Sequence, residues 1–498
     1  MAFPWVAASL LFSAVWAIVR FVTRIVLPPS HLPKNIPTIP FYYTLLALFK
    51  EVDQEQLYHK YLKQPLEQWG AVNIFFGGHW NVLITRPTYM AQVLKNDEDF
   101  PKAGNHVKNP DSVLALYTGE NVISAIGETW KQFAAIMKPG LQSAIDASVI
   151  ARNAHILVDL LMQDQKRNAA SGVAILDLVQ AYAISNVSES LLGARIDALE
   201  NRKNPLLQLQ KEIKPKIFNP IHLNFPILDW FYIPSREKAK QLVKTFKTEL
   251  TALIRQGHRH ECQLDSTNLG CRLLAAHNTG QLSEYHLQQN LLITFVAGHE
   301  NPMILILSNL FVLADRPYLQ EQVRREVHSL PPSERTQPDA LATLPLLTSV
   351  IFETLRMYPP LSQIMNKRTA TDVILSDDII LRAGTFTGYN GYSTNRNPEF
   401  WGPDADKFRP SRWGETVEDA NALFRRATSK AEFITFHGGK RTCLGQKWAL
   451  ATHRVTMAIF LTSLKWRLDP TWPRMMTPAG PLMPKNLRLE LETLSIED

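Results

Sequence analysis

Cys443 stands in F-H-G-G-K-R-T-C-L-G, residues 436–445, just ahead of an apolar run that reads as a helix over roughly Gln446–Leu461. A lone cysteine can offer one sulfur to one metal. Zinc wants four ligands, and this segment supplies no second thiolate at the usual spacing. A single axial thiolate on a heme iron needs only the one. The neighbours suit that chemistry. Gly438 and Gly439 let the backbone turn tightly and approach a flat macrocycle. Arg441 brings a permanent cation close to the sulfur and to heme carboxylates. Gly445 lets the helix start against the ring, and the positive end of the helix lowers the thiol pKa. Phe436 can shield the sulfur from water. The alternative is a buried structural cysteine in a turn, and the spacing F-x-x-G-x-R-x-C-x-G, matched at every fixed position, argues against it.

That segment resembles the heme-binding signature of the cytochrome P450 family. The resemblance runs from about residue 40 to the C-terminus; it is most specific over 290–450 and thin over 140–280. It implies heme b (iron protoporphyrin IX) as cofactor, Cys443 as the metal ligand and dioxygen as co-substrate. The implied fold is mainly α with small β-sheets, a cytochrome P450 fold behind an N-terminal transmembrane helix.

Two further segments carry the resemblance. Glu353 and Arg356 sit in E-T-L-R ahead of Tyr358-Pro359-Pro360, three apart on one helical face. Alone, such a pair is more often a solvated surface pair. In the family it is buried and locks to an Arg in a later F-x-P-x-R-W segment. Here that segment is Phe408–Trp413, with Arg412 as the third member, so the implied role is structural. Residues Leu287–Leu313 read as a long apolar helix holding A-G-H-E-N, Ala297–Asn301. Ala297 and Gly298 are small enough for a flat ligand to lie against the helix. Glu300 inside an apolar helix is costly unless paired or functional. The family pattern is A-G-x-E-T, whose acid and alcohol hold water that delivers protons to bound dioxygen. Ala297, Gly298 and Glu300 match; Asn301 replaces the Thr, and its amide can also hold a water. Pro302 lacks the helical N–H and is expected to kink the helix. The A-G-H-E-N variant resembles fungal members related to the dityrosine-forming enzymes, which couple aromatic rings.

At the heme edge, Gly119–Lys131 resembles the approach to the family's propionate-binding helix. Trp130 can donate its indole N–H to a propionate. Ala134 stands where the family often has Arg, leaving Lys131 or His106 as substitutes. Arg368 matches a family propionate Arg, and Arg441 is the third candidate. For each, an ordinary packing or surface role is the alternative.

The rest of the chain must position and serve this site. Val72–Ile84, with Gly77 and Gly78, reads as a β-hairpin; much of 85–330 reads as helix; Val373–Leu375 and Ile379–Leu381 read as short strands, followed by a turn at Gly384. Residues 1–27 read as a membrane anchor: Phe3–Val19 is apolar, and the run to Leu27 reaches the roughly 20 residues a span needs if Arg20 and Arg24 snorkel. No small-x-small cleavage site follows. Arg20, Arg24 and Lys34 lie C-terminal to the span, which places the rest on the cytoplasmic side. Prolines 28, 29, 33, 37 and 40 make residues 28–40 a stiff hinge, leaving 41–498 as the catalytic domain. Localisation follows as a single-pass membrane protein of the endoplasmic reticulum, expected to be a monomer.

The net charge of +7 accompanies no nucleic-acid motif or basic tail. Lys430, Lys440, Lys447, Arg425 and Arg426 surround the Cys443 loop in sequence and fit an acidic redox partner. No flavin or nicotinamide fingerprint is present, so electrons come from outside, and the resemblance points to NADPH-cytochrome P450 reductase. Cys262 and Cys271, nine apart, read as free thiols in a reducing compartment. Val113, Leu114, Phe295, Val296, Leu361, Ile364 and Leu482 form an expected apolar pocket for a lipophilic or aromatic small molecule. The expected function is a heme-thiolate monooxygenase of a secondary-metabolite pathway. Ring coupling, a reductase-independent peroxide isomerase or dehydratase, and a heme sensor remain as alternatives.

Overall fold

In the computed structural model, apolar periodicity resolves into helices wrapped around one central helix, with three small sheets at the side. The structure describes residues 3–49, 51–143, 145–168, 171–258, 262–376, 379–478 and 480–494. Residues 1–2 and 495–498, the ends of the expected anchor and catalytic domain, fall outside that set, as do the side chains of residues 3–10, Ala14, Ile18, Phe21 and Arg24.

The central helix, Glu284–Ala314, begins at Ser283, whose side chain accepts the His286 N–H. It is 31 residues long, or about 46 Å at the α-helical rise. It is apolar on all sides, the mark of a helix inside a large core. By length and hydropathy it could cross a membrane, but 67% of its most apolar stretch is buried within the protein. Helices Leu176–Asn186, Pro234–Gly257, Pro345–Met357 and Gln446–Ser463 pack around it. Pro302 sits inside the helix without ending it. Its missing N–H leaves the Gly298 carbonyl without the usual i+4 donor.

The hairpin forms as expected, Ala71–Phe76 against His79–Ile84, turning at Gly77 and Gly78 with φ of 62° and 85°. Strand Phe386–Asn390 adds in parallel to the second hairpin strand, and Gln363–Arg368 adds antiparallel at the far edge. The short pair Val373–Leu375 and Ile379–Leu381 is also present. A third sheet joins Val173–Ala174, Arg488–Thr493 and Leu464–Leu468.

Residues Phe3–Val26 form one helix on which Leu11, Phe12, Val15, Trp16, Val19 and Val22 are exposed. The proline-rich stretch after it is docked rather than free. Leu32, Ile36 and Ile39 are buried, Asn73 N–H donates to Pro37 O at 2.8 Å, and Asn73 Nδ2 donates to Pro33 O at 2.8 Å. Trp80 Nε1 donates to Ile25 O at 2.8 Å, fixing where the helix leaves the sheet.

Candidate active site

The Cys443 loop turns on two left-handed residues, His437 and Gly439, both with φ of 64°. At 439 only glycine fits, because a Cβ would lie 2.3 Å from Leu94 O. The Cys443 N–H donates to Phe436 O at 2.9 Å, closing the loop over the buried Phe436 ring, which packs on Phe424. Gly445 stands at the N-cap of the helix Gln446–Ser463, so the backbone N–H groups of Gly445 and Gln446 lie at the helix end beside the Cys443 thiol. Burial pushes the thiol pKa up and those two donors pull it down. The residue nonetheless presents accessible surface. A Cβ at Gly445 would meet nothing within 4 Å, so that glycine gives room on the open side.

Four basic side chains converge beside this loop. The segment around Lys102 bridges to Lys367 in the edge strand, so the two ammonium groups share one region. Lys102 Nζ lies 3.0 Å from His437 Nε2, and Tyr389 OH lies 2.8 Å from His437 Nδ1. Lys367 Nζ donates to Asp97 Oδ1 at 3.0 Å and to Phe100 O at 2.7 Å. Arg441 donates to Ala125 O at 2.9 Å and Ile123 O at 3.1 Å, and its guanidinium stacks 4.5 Å from the centre of the Trp130 ring. Burial pushes the Lys102 pKa well down, with Lys367 and Arg441 adding to it; burial likewise brings Arg441 to about 10, with Asp97 opposing. Burial, followed by Lys102, Lys367 and Arg441, depresses His437. Three cations beside one carboxylate form a donor set short of anions, which the two carboxylates of heme b would complete.

Arg368 is not in this cluster. Alternation along Gln363–Arg368 turns Met365 and Lys367 inward and Arg368 outward, where it stacks on Phe386 and donates to Gly384 O at 3.1 Å. Lys131 is exposed and pairs with Glu128. Lys102, Lys367 and His437 were missed in the sequence. The only signal for Lys367 was its place next to Arg368 on a period-two strand.

On the central helix, Glu300 is paired: Lys214 Nζ, from helix Pro205–Ile217, lies 2.7 Å from Glu300 Oε1, and His299 Nε2 lies 3.6 Å away. His299 is buried, its Nδ1 2.6 Å from Phe295 O and its Nε2 2.5 Å from Gln210 Nε2. Asn301 Nδ2 donates to Ala297 O at 3.4 Å, one turn back. Gly298 does not clear space for a ligand. A Cβ there would lie 2.5 Å from Val187 Cγ2, so its small size lets the helix pack against residues 187–191. Ala297, Gly298, Glu300 and Asn301 are all partly exposed, in contrast to the buried turns on either side. Val113, Phe295 and Leu482 belong to the core, Phe295 edge-on to Phe246, so they do not line an open pocket.

The Glu353–Arg356 pair is fully buried and bidentate, Nε and Nη2 each 2.8 Å from a carboxylate oxygen. Arg356 also donates to Asn395 O at 2.9 Å and Ala405 O at 2.7 Å. Glu353 accepts from the Arg409 N–H at 2.9 Å and from Trp413 Nε1 at 3.0 Å. Arg412 Nε is 3.5 Å from Glu353, and Arg412 makes its hydrogen bonds to Trp401 O and Asp404 O instead. The Trp of F-R-P-S-R-W is thus a direct partner of the carboxylate. Asn395 carries the connection onward: it accepts from the Ile434 N–H at 3.0 Å and donates to Thr435 Oγ1 at 2.8 Å, one residue before Phe436.

The sequence model of the family described as Cytochrome P450 matches residues 33–491. The chain is 40% identical to Cytochrome P450-DIT2 of Saccharomyces cerevisiae over 94% of both chains. It is 34% identical to Cytochrome P450 monooxygenase xanG of Aspergillus fumigatus, over 93% of this chain and 88% of that one. The crystal structure of the cytochrome P450DA heme domain superposes with a TM-score of 0.74 at 18% identity, covering 94% of this chain and 99% of that one.

Proposed function

The chain belongs to the cytochrome P450 family, whose cofactor is heme b, and from that premise we propose that it is a membrane-anchored monooxygenase oxidising a small lipophilic or aromatic molecule in a biosynthetic pathway. The observation that carries this reading is the placement of Cys443 at the N-terminus of helix Gln446–Ser463, beside an anion-seeking cluster. When bound, heme b supplies dioxygen activation and one-electron oxidation. This chain's residues do the rest. Cys443 binds the metal, while Lys102, Lys367 and Arg441 orient the ring by its carboxylates. Phe436 excludes water from the sulfur. Glu300 and Asn301 would hold water and pass protons into the site, with Lys214 keeping Glu300 ionised.

Arg425, Arg426, Lys430, Lys440 and Lys447 are all exposed around the Cys443 loop. They form a basic rim for an acidic NADPH-dependent reductase. The exposed apolar residues Leu11, Phe12, Val15, Trp16, Val19 and Val22 of helix Phe3–Val26 and the docked strap after it support an anchor at residues 1–27 and a hinge at 28–40. The catalytic domain from residue 41 would then lie on the cytoplasmic face of the endoplasmic reticulum as a monomer.

Ring coupling is the second reading. It is favoured by the A-G-H-E-N turn, with an amide where the family has a hydroxyl, and by the 40% identity to the yeast relative. Full-length protein with NADPH-cytochrome P450 reductase, NADPH and labelled dioxygen should place one labelled oxygen atom in a phenolic or lipophilic acceptor. A dimer of a phenol without added oxygen would select the coupling reading. Turnover with a hydroperoxide alone and no reductase-dependent NADPH use would refute both.

A further inference from the structure

Away from the Cys443 loop, the connection between helices Pro234–Gly257 and Leu269–Asn278 brings His258, Cys262 and Cys271 together. One ligand atom from each lies within 4.8 Å of the other two, and all three residues are half-buried. A tetrahedral zinc with two thiolates and one imidazole sets its ligand atoms about 3.5–3.8 Å apart. The observed cluster therefore reaches bonding geometry by movements on the order of 1 Å.

The imidazole is built in rather than free. His258 Nε2 lies 2.8 Å from Leu192 O. A carbonyl only accepts, so Nε2 carries the hydrogen and Nδ1 keeps the lone pair a metal needs. A ring N–H given to a backbone carbonyl is the usual support of a metal-binding histidine. Two glycines make the slot. A Cβ at Gly193, where φ is 67°, would lie 2.5 Å from His258 Cε1; one at Gly270 would lie 2.2 Å from Leu192 O and 3.0 Å from His258 Nε2. On the other side Cys271 occupies the first turn of its helix, its N–H capped by Asn268 Oδ1 at 3.1 Å, where the helix end favours a thiolate.

We propose that His258, Cys262 and Cys271 form a zinc site distinct from the heme-iron site, with the fourth position left to water or a small added thiol. Two thiolates and one imidazole select zinc among the common divalent ions. The ion closes the 258–271 connection and pins the start of helix Leu269–Asn278 to the end of helix Pro234–Gly257. A disulfide between the two cysteines would leave the His258 slot without a purpose. Residues 259–261 lie outside the described residues and are no part of the site. The site does not depend on the reading of the Cys443 centre.

The test uses heme-loaded, full-length protein purified under thiol reductant. Elemental analysis should find one zinc per heme iron, and zinc-edge X-ray absorption should find two sulfurs at about 2.3 Å and nitrogen at about 2.0 Å. The double substitution Cys262→Ser, Cys271→Ser should lose the zinc while the reduced carbon-monoxide spectrum stays unchanged. His258→Gln should weaken zinc binding at least tenfold against a competing chelator. In the unaltered protein, chelation should lower the melting temperature and re-added zinc should restore it, which keeps the test valid if the variants misfold. Zinc retained by the double variant, an all-oxygen or all-nitrogen zinc shell, or a Cys262–Cys271 disulfide in zinc-supplied, metal-free isolates would each overturn the site.

Discussion

Lys214 Nζ lies 2.7 Å from Glu300 Oε1, an ion pair joining helix Pro205–Ile217 to the A-G-H-E-N turn of the central helix. Burial pushes the Glu300 carboxyl up, but the charge of Lys214 and the neighbouring His299 pull it down to about 2. The acid that the apolar helix could not otherwise tolerate is therefore held as a carboxylate.

Removing that cation should reverse the balance. In Lys214→Met, burial acts against a weaker pull, so the Glu300 pKa should rise by at least about one unit. With a depressed folded pKa, Glu300 contributes stability fully present above its unfolded value of 4.5 and lost as pH falls toward 2. The variant should lose that contribution, and the acid limb of its turnover should move to higher pH. A pH–rate profile identical to that of the unaltered protein would show that Glu300 is not governed by Lys214.

Cys443→Ala removes the sulfur at the N-terminus of helix Gln446–Ser463. The variant should lose the carbon-monoxide difference spectrum of a thiolate-bound heme. An unchanged spectrum would refute the ligand assignment.

The buried Glu353–Arg356 pair is a stability element whose loss should be felt at the Cys443 loop through Asn395 and Thr435. Arg356→Leu leaves an uncompensated buried carboxylate and should cost about 3–5 kcal/mol, with loss of heme. Trp413→Phe removes one donor to the same carboxylate at 3.0 Å and should cost about 1–3 kcal/mol. Denaturant unfolding compares them. A Trp413→Phe protein as stable as the parent would remove the indole from the network.

Lys367 and Arg368 give the sharpest contrast between neighbours. Lys367→Met takes a cation from the cluster facing Cys443 and should weaken heme retention, whereas Arg368→Gln acts on an outward side chain and should leave it unchanged. Heme transfer to a scavenging globin measures both. Equal loss rates would contradict the inward placement of Lys367 as a heme contact.

Deletion of residues 1–27 should shift the protein from the membrane pellet to the supernatant. Leu11, Phe12, Val15, Trp16, Val19 and Val22 give helix Phe3–Val26 an exposed apolar face. Continued sedimentation with microsomes would mean that another surface holds it to the bilayer.

Much of this protein was legible without coordinates because the decisive chemistry is contiguous. A sulfur, the turn that presents it and the helix that polarises it all lie within 436–461, so short-range geometry alone brings them together. Glu353 and Arg356 share a helical face for the same reason. What the linear chain left open was convergence from afar. Whether Lys367 or Arg368 faces the site is decided by which face of a strand the sheet buries. Gly298 reads as room for a ligand until Val187 is placed beside it. Lys214 finds Glu300 only because helices distant in sequence pack on one another, and His258 meets two cysteines only through the fold of the short connection between two consecutive helices. A residue's capacity for chemistry is local, but its partner is set by register and packing, and those are properties of the whole core.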